Sequence, residues 1–256
     1  MNPYAAPPAS SWLNKVPEVT LSFWLIKIMS TTLGETGGDA VSMSMHLGYL
    51  TATVIFATLF LVAVLAQMKA KSFHPYLYWA TIIATTTTGT TLADFADRSL
   101  GIGYAGGSSL LLVLLLGSLW IWHRTLGSVA INQLSSPKAE VFYWVTIMFS
   151  QTLGTALGDW TADSAGLGYS GAAMVFSALL ALIVAAYYWS HLSRTLLFWA
   201  AFILTRPLGA AVGDFLDKPF SAGGLALSRY SASALLFVFM LSCIALFRQR
   251  AASTAH

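Results

Sequence analysis

The chain has 256 residues, 57% of them hydrophobic and only 9% charged, with a net charge of +3 and a mean hydropathy of +0.70. Soluble domains carry about 25% charged residues, so this composition excludes an ordinary soluble protein and points to an integral membrane chain. One cysteine, Cys243, excludes an internal disulfide and a cysteine-rich metal cluster.

The first expected helix covers residues 19–43, with Trp24 and Lys27 near its start and Gly34, Glu35 and Asp39 further along. It is long, contains Lys27 and lacks a small-residue cleavage pattern, so it reads as a span and not as a signal peptide. The charge-free run from Leu50 to Met68 follows. The same alternation then recurs: residues 76–97 precede the run from Ser108 to Trp122, residues 140–162 precede Ala172 to Ser190, and residues 196–217 precede Ser231 to Phe247. At about 1.5 Å rise per residue, most of these runs approach the roughly 30 Å of membrane hydrocarbon. The expected fold is all-α integral membrane, with eight transmembrane helices arranged as helix hairpins. It comprises four parallel two-helix repeats (20–68, 76–123, 140–190, 196–248) in two pseudo-symmetric halves of one domain, 1–256. The linker 124–139, with Gly127, Asn132 and the turn signal Ser135-Ser136-Pro137, joins the halves.

Three aligned positions define the repeat. Trp24, Trp79, Trp144 and Trp199 each stand fifteen residues before an Asp (Asp39, Asp94, Asp159, Asp214) and ten before a Gly (Gly34, Gly89, Gly154, Gly209). Lys15, Lys69, Lys71, Arg124, Lys138, Arg194, Arg248 and Arg250 fall at the termini or between repeats, which the positive-inside rule assigns to the cytoplasm. The expected location is thus the bacterial inner membrane, with both termini cytoplasmic. If the Trp rings mark the cytoplasmic interface, each Asp lies about 22 Å further along its helix.

The acids come in pairs that share a helix face: Glu35 and Asp39, Asp94 and Asp97, Asp159 and Asp163, Asp214 and Asp217. Carboxylates in hydrocarbon are costly and read as functional by default. Crowded like charges at low dielectric resist joint ionisation, and a bound cation relieves them while protons compete for the same oxygens. The expected cation site is Glu35, Asp39, Asp94, Asp159 and Asp214, with Asp97, Asp163 and Asp217 as a vestibule or proton relay and Thr32, Thr36, Thr87, Thr91 and Thr152 as polar lining. Oxygen-only ligation suits Mn²⁺, Mg²⁺ or Ca²⁺ better than copper or zinc. A competing structural reading pairs the second and fourth clusters with Arg98, Lys218 and Arg229 as polar glue between helices. Arg206, which occupies the slot of Thr31, Thr86 and Gln151, is expected to act with Lys27 as counter-charge or gate, or to hold an anionic group. His46, seven residues past Asp39, is expected at an interface and not on a metal; His256 is terminal.

Each unit opens with an aromatic-Trp pair (Phe23-Trp24, Tyr78-Trp79, Tyr143-Trp144, Phe198-Trp199), and segments such as Leu33-Gly34-Glu35-Thr36-Gly37-Gly38-Asp39 are characteristic. Over about residues 20 to 248 the chain resembles the bacterial repeat-of-unknown-function membrane proteins, often labelled uncharacterised membrane-anchored proteins. The resemblance implies the fourfold architecture and a Trp in every copy, and brings no activity with it. The expected function is a transporter, not an enzyme, that moves a divalent cation, Mn²⁺ efflux being the specific reading, in exchange for protons. A proton-coupled carrier of small organic solutes held by Arg206 is one alternative, and a passive channel or non-transporting sensor another. No covalent cofactor is expected, the metal ion being substrate. Expected partners are the lipid bilayer and the small cation or solute, not nucleic acid, with a homo-oligomer left open.

Overall fold

A computed structural model describes residues 15–131, 134 and 136–252. Asn132, Ser135 and His256, named above, lie outside the described residues. The described chain is all-helical: α1 (Leu21–Asp39), α2 (Tyr49–Lys69), α3 (Pro75–Asp94), α4 (Tyr104–Leu126), α5 (Pro137–Asp159), α6 (Gly168–Trp189), α7 (Arg194–Asp217) and α8 (Arg229–Leu246). Helix starts follow local chemistry. Thr20 caps α1 by accepting from the Phe23 amide, and Ser136 caps α5 by accepting from Ala139, with Pro137 in the first turn where its missing N–H costs nothing.

The odd-numbered helices form a closed inner ring in which α1 packs on α3, α3 on α5, α5 on α7 and α7 back on α1. Glycines set these seams. A Cβ on Gly34 would collide with Thr86, one on Gly89 with the Gln151 and Thr152 backbone at 2.9 Å, one on Gly154 with Arg206, and one on Gly209 with Thr31. The repeated glycine therefore lets each inner helix press against the seventh residue after the next Trp, and the fourth unit closes onto the first. Because α3 packs on α5 across the 124–139 linker, the structure is one fourfold ring and not two separable halves.

The even-numbered helices form an outer layer. Here the hairpin expectation is corrected: α2 packs on α3, α4 on α5, α6 on α7 and α8 on α1, while each touches its own unit's inner helix only marginally. The cause is the connection. In the first three units the inner helix passes into a single π-helical turn, Ala40–Ser44, Phe95–Ser99 or Trp160–Ser164, before glycines at positive φ (Gly48, Gly103, Gly168) redirect the chain. The detour delivers the outer helix to the neighbouring unit. Outer helices bury little; α2 buries only Ala52 and Gln67, and α6 only Ala172 and Phe176. Five helices (α2, α4, α6, α7, α8) are long and apolar enough to cross a membrane. The other three inner helices fall short in hydropathy because threonines, glycines and acids occupy the faces they turn inward.

At the end where α1, α3, α5 and α7 begin, the repeated aromatics form a collar. Phe23 meets Trp79 at 5.5 Å between ring centroids, Tyr78 meets Trp144 at 6.0 Å, Tyr143 meets Trp199 at 6.3 Å and Phe198 meets Trp24 at 5.8 Å. Three of the four repeat Trp residues are buried, Trp24 being partly so: each packs on the Phe or Tyr of the neighbouring unit's aromatic pair. The linker joins this core through Ile131 and Leu134, and the Val129 carbonyl accepts from Trp199 Nε1 at 3.0 Å. Residues 16–18 and 250–252 also meet here, the Glu18 amide donating to the Arg250 carbonyl and the Ala252 amide to that of Val16.

Candidate carboxylate site

Inside the ring, successive turns of the four inner helices place one residue from each unit at each level, about 6 Å apart along the axis. Above the collar come Lys27, Ile82, Ile147 and Phe202, then Thr31, Thr86, Gln151 and Arg206, then Glu35, Thr90, Thr155 and Ala210, and last Asp39, Asp94, Asp159 and Asp214. All sixteen are buried. The aligned residues of the four units thus form four buried levels.

The model of the family described as Repeat of Unknown Function (DUF347) matches residues 22–73, 77–128, 142–193 and 197–251, the same four units that close this ring. The chain belongs to the DUF347 repeat family. No curated protein and no solved structure matches the chain.

In this DUF347 chain the charges are distributed unequally among equivalent slots. Glu35 stands where the other units have Thr90, Thr155 and Ala210, and its Oε2 accepts from Arg206 Nη2 at 2.9 Å. The same nitrogen reaches Thr90 Oγ1 at 2.6 Å and Thr155 Oγ1. Arg206, rooted one level below, therefore inserts its guanidinium tip into the Glu35 level. At the outer level Lys218 Nζ lies 2.9 Å from Asp39 and 2.8 Å from Asp214, while Arg98 bridges Asp94 at 2.8 Å and Asp159 at 3.4 Å. Arg229 Nε meets Asp217 at 2.9 Å and Asp39 at 3.6 Å.

Of the sequence-selected acids, Glu35, Asp159 and Asp214 converge, each offering one oxygen within 4.8 Å of the others; Asp39, Asp214 and Asp217 form a second such group. Asp94 joins the first group only through Arg98. Asp97 is buried beside Gly107 of α4 and lies outside both groups, and Asp163 is exposed. Five hydroxyls selected as lining serve elsewhere: Thr32, Thr36, Thr87, Thr91 and Thr152 donate to carbonyls of their own helices, and Thr36 also accepts from Ser233. Thr90 and Thr155 touch the charged groups instead. Sequence reasoning missed them, although they sit eleven residues past their Trp, the register of Glu35. His46 lies on an exposed turn at φ 55°, in the slot where the next two units carry Gly101 and Gly166 at positive φ.

Seven buried acids crowd this end of the ring (Glu35, Asp39, Asp94, Asp97, Asp159, Asp214, Asp217), against the four cations Arg98, Arg206, Lys218 and Arg229. The surplus is negative and close to the Glu35, Asp159 and Asp214 oxygens. Asp39 Oδ1 also has no hydrogen-bond partner.

Proposed function

We propose that this chain is a multi-pass transporter of the bacterial inner membrane, with eight spans, that exchanges a divalent cation for protons. The outer helices, with their exposed leucines and valines, would face lipid. The inner ring would cross the membrane with its polar faces turned inward, the only economical arrangement for so many hydroxyls and charges. The basic residues near the collar favour placing that end, with both chain ends, in the cytoplasm.

The observation that carries the reading is the three-carboxylate group of Glu35, Asp159 and Asp214 inside a negative surplus. Its donors are all oxygen, which suits a hard ion such as Mn²⁺, with further oxygens and water completing the shell. Protons and the ion would neutralise the same surplus, so loading one expels the other. Lys218 and Arg98 act as internal competitors: each already neutralises ring carboxylates, and a shift of either would expose oxygens to an incoming ion. The sealed collar favours exchange over passive conduction.

Calorimetry of Mn²⁺ binding to the purified protein at pH 6 and pH 8 tests this, beside Asp159→Asn, together with Mn²⁺ flux in proteoliposomes under a pH gradient. Saturable binding that strengthens at the higher pH, weakens at least tenfold in Asp159→Asn, and accompanies proton-driven flux is expected. No binding of Mn²⁺, Mg²⁺ or Ca²⁺ at either pH overturns the reading.

A further inference from the structure

Between the collar and Glu35 the axis changes sign. Lys27 and Arg206 are both fully buried and near enough for their charges to repel, and no acid is rooted on either of their levels, Glu35 meeting the Arg206 tip from the level above. Lys27 Nζ has no hydrogen-bond partner and rests 4.2 Å above the Phe202 ring. Arg206 Nε and Nη1 are also unpartnered, since only Nη2 reaches Glu35 and the threonines. Gln151, fully buried on the same level as Arg206, leaves both ends of its amide unpartnered, so reversing the amide changes nothing.

Native interiors rarely leave buried polar groups unpaired, and those on the Lys27 and Arg206 levels are mostly donors. Lys27 Nζ, Arg206 Nε and Nη1, and the Gln151 amide nitrogen are donors; the Gln151 carbonyl is the single acceptor among them. Water would bring two more hydrogens to a site already short of acceptors. An anion brings acceptors alone. Glu35 already accepts from Arg206, so Lys27 is the group left without an acceptor, and a single negative charge beside it would favour its protonated form.

We propose that Lys27, Gln151 and Arg206 form an internal binding site for a small monovalent anion of halide or nitrate size. The site lies between the aromatic collar and the carboxylate group. It adjoins the carboxylate group through the Arg206–Glu35 pair but takes no ligand from Asp159 or Asp214.

Thermal unfolding of the full chain in detergent, with sodium bromide, sodium nitrate or sodium formate replacing sodium gluconate at constant ionic strength, tests the site. Saturable stabilisation of the wild type by about 5 °C or more is expected with bromide and nitrate. Lys27→Met and Gln151→Leu should each abolish that response. In gluconate, Lys27→Met should unfold above the wild type, because an unpaired buried charge has gone. Asp159→Asn should keep the bromide response, which separates this site from the carboxylate group. A response to formate alone would keep the site and assign it to small carboxylates. The proposal is overturned if the wild type behaves alike in gluconate and in all three test anions, or if Lys27→Met retains the bromide response.

Discussion

Gly89→Ala tests the architecture at a seam where the nearest neighbours are backbone atoms. The added methyl would lie 2.9 Å from the Gln151 carbonyl carbon and 2.9 Å from the Thr152 nitrogen, both backbone atoms of α5 that no rotamer change can move. Ordinary carbon contacts need about 3.5 Å or more, so α3 and α5 must separate by about half an ångström, and a closed ring passes that displacement to its other seams. Overpacking of this kind costs about 3 kcal/mol at its upper end, while replacing a mid-helix glycine by alanine returns about 1 kcal/mol. The net loss of about 2 kcal/mol corresponds to a fall of roughly 4–8 °C in the unfolding midpoint of a chain this size. Gly117→Ala in α4 is the control, since nothing lies within 4 Å of its added methyl. There only the propensity gain acts, and the midpoint should rise by roughly 2–4 °C. Circular dichroism melts of both variants in one detergent supply the comparison. If Gly89→Ala rises with Gly117→Ala, α3 and α5 do not touch as described and the glycine-seam argument fails.

Three further outcomes follow from the charges. Arg206→Met should destabilise by about 3–5 kcal/mol by leaving Glu35 buried without its partner, and adding Glu35→Gln should restore most of the loss; a double variant no better than the single would refute the pairing in denaturant titrations. Lys218→Met should tighten Mn²⁺ binding at pH 8 by removing the cation that holds Asp39 and Asp214, and weaker binding by calorimetry would count against internal competition. Asp163→Asn should leave Mn²⁺ affinity within twofold of the wild type, because that carboxylate is exposed and outside both convergent groups; a tenfold loss would place it in the site after all.

The helix inventory was legible because hydrophobic runs and capping residues such as Thr20 and Ser136 are local signals. The repeat register was legible because Trp, Gly and Asp recur at constant offsets. What the register could not disclose was which neighbour each outer helix would choose. Equal spacing is compatible with packing inside a unit or across units, and the π-helical turns that decide between them leave no plain composition mark. Among the acids, Glu35, Asp159 and Asp214 belong to three different units, so their convergence depends on ring closure, a long-range property. The threonines were harder still. Thr87 and Thr90 are only three residues apart, yet one bonds its own helix and the other meets Glu35 and Arg206. The cations were visible as residues, but Lys218 reaches Asp39 only because the fourth unit abuts the first.

The handing of each outer helix to the following unit makes a single unit a self-complementary piece. Its two helices offer a socket and a plug that fit an identical copy, a heterologous contact that closes after four members. Four separate chains could build the same shell, but every level of their axis would then repeat one side chain four times, and four arginines or four glutamates would repel one another. Joining the units in one polypeptide lifts that restriction. One glutamate, two threonines and one alanine can share a level, with a lone arginine reaching up from below, and the shell need not change to accommodate them.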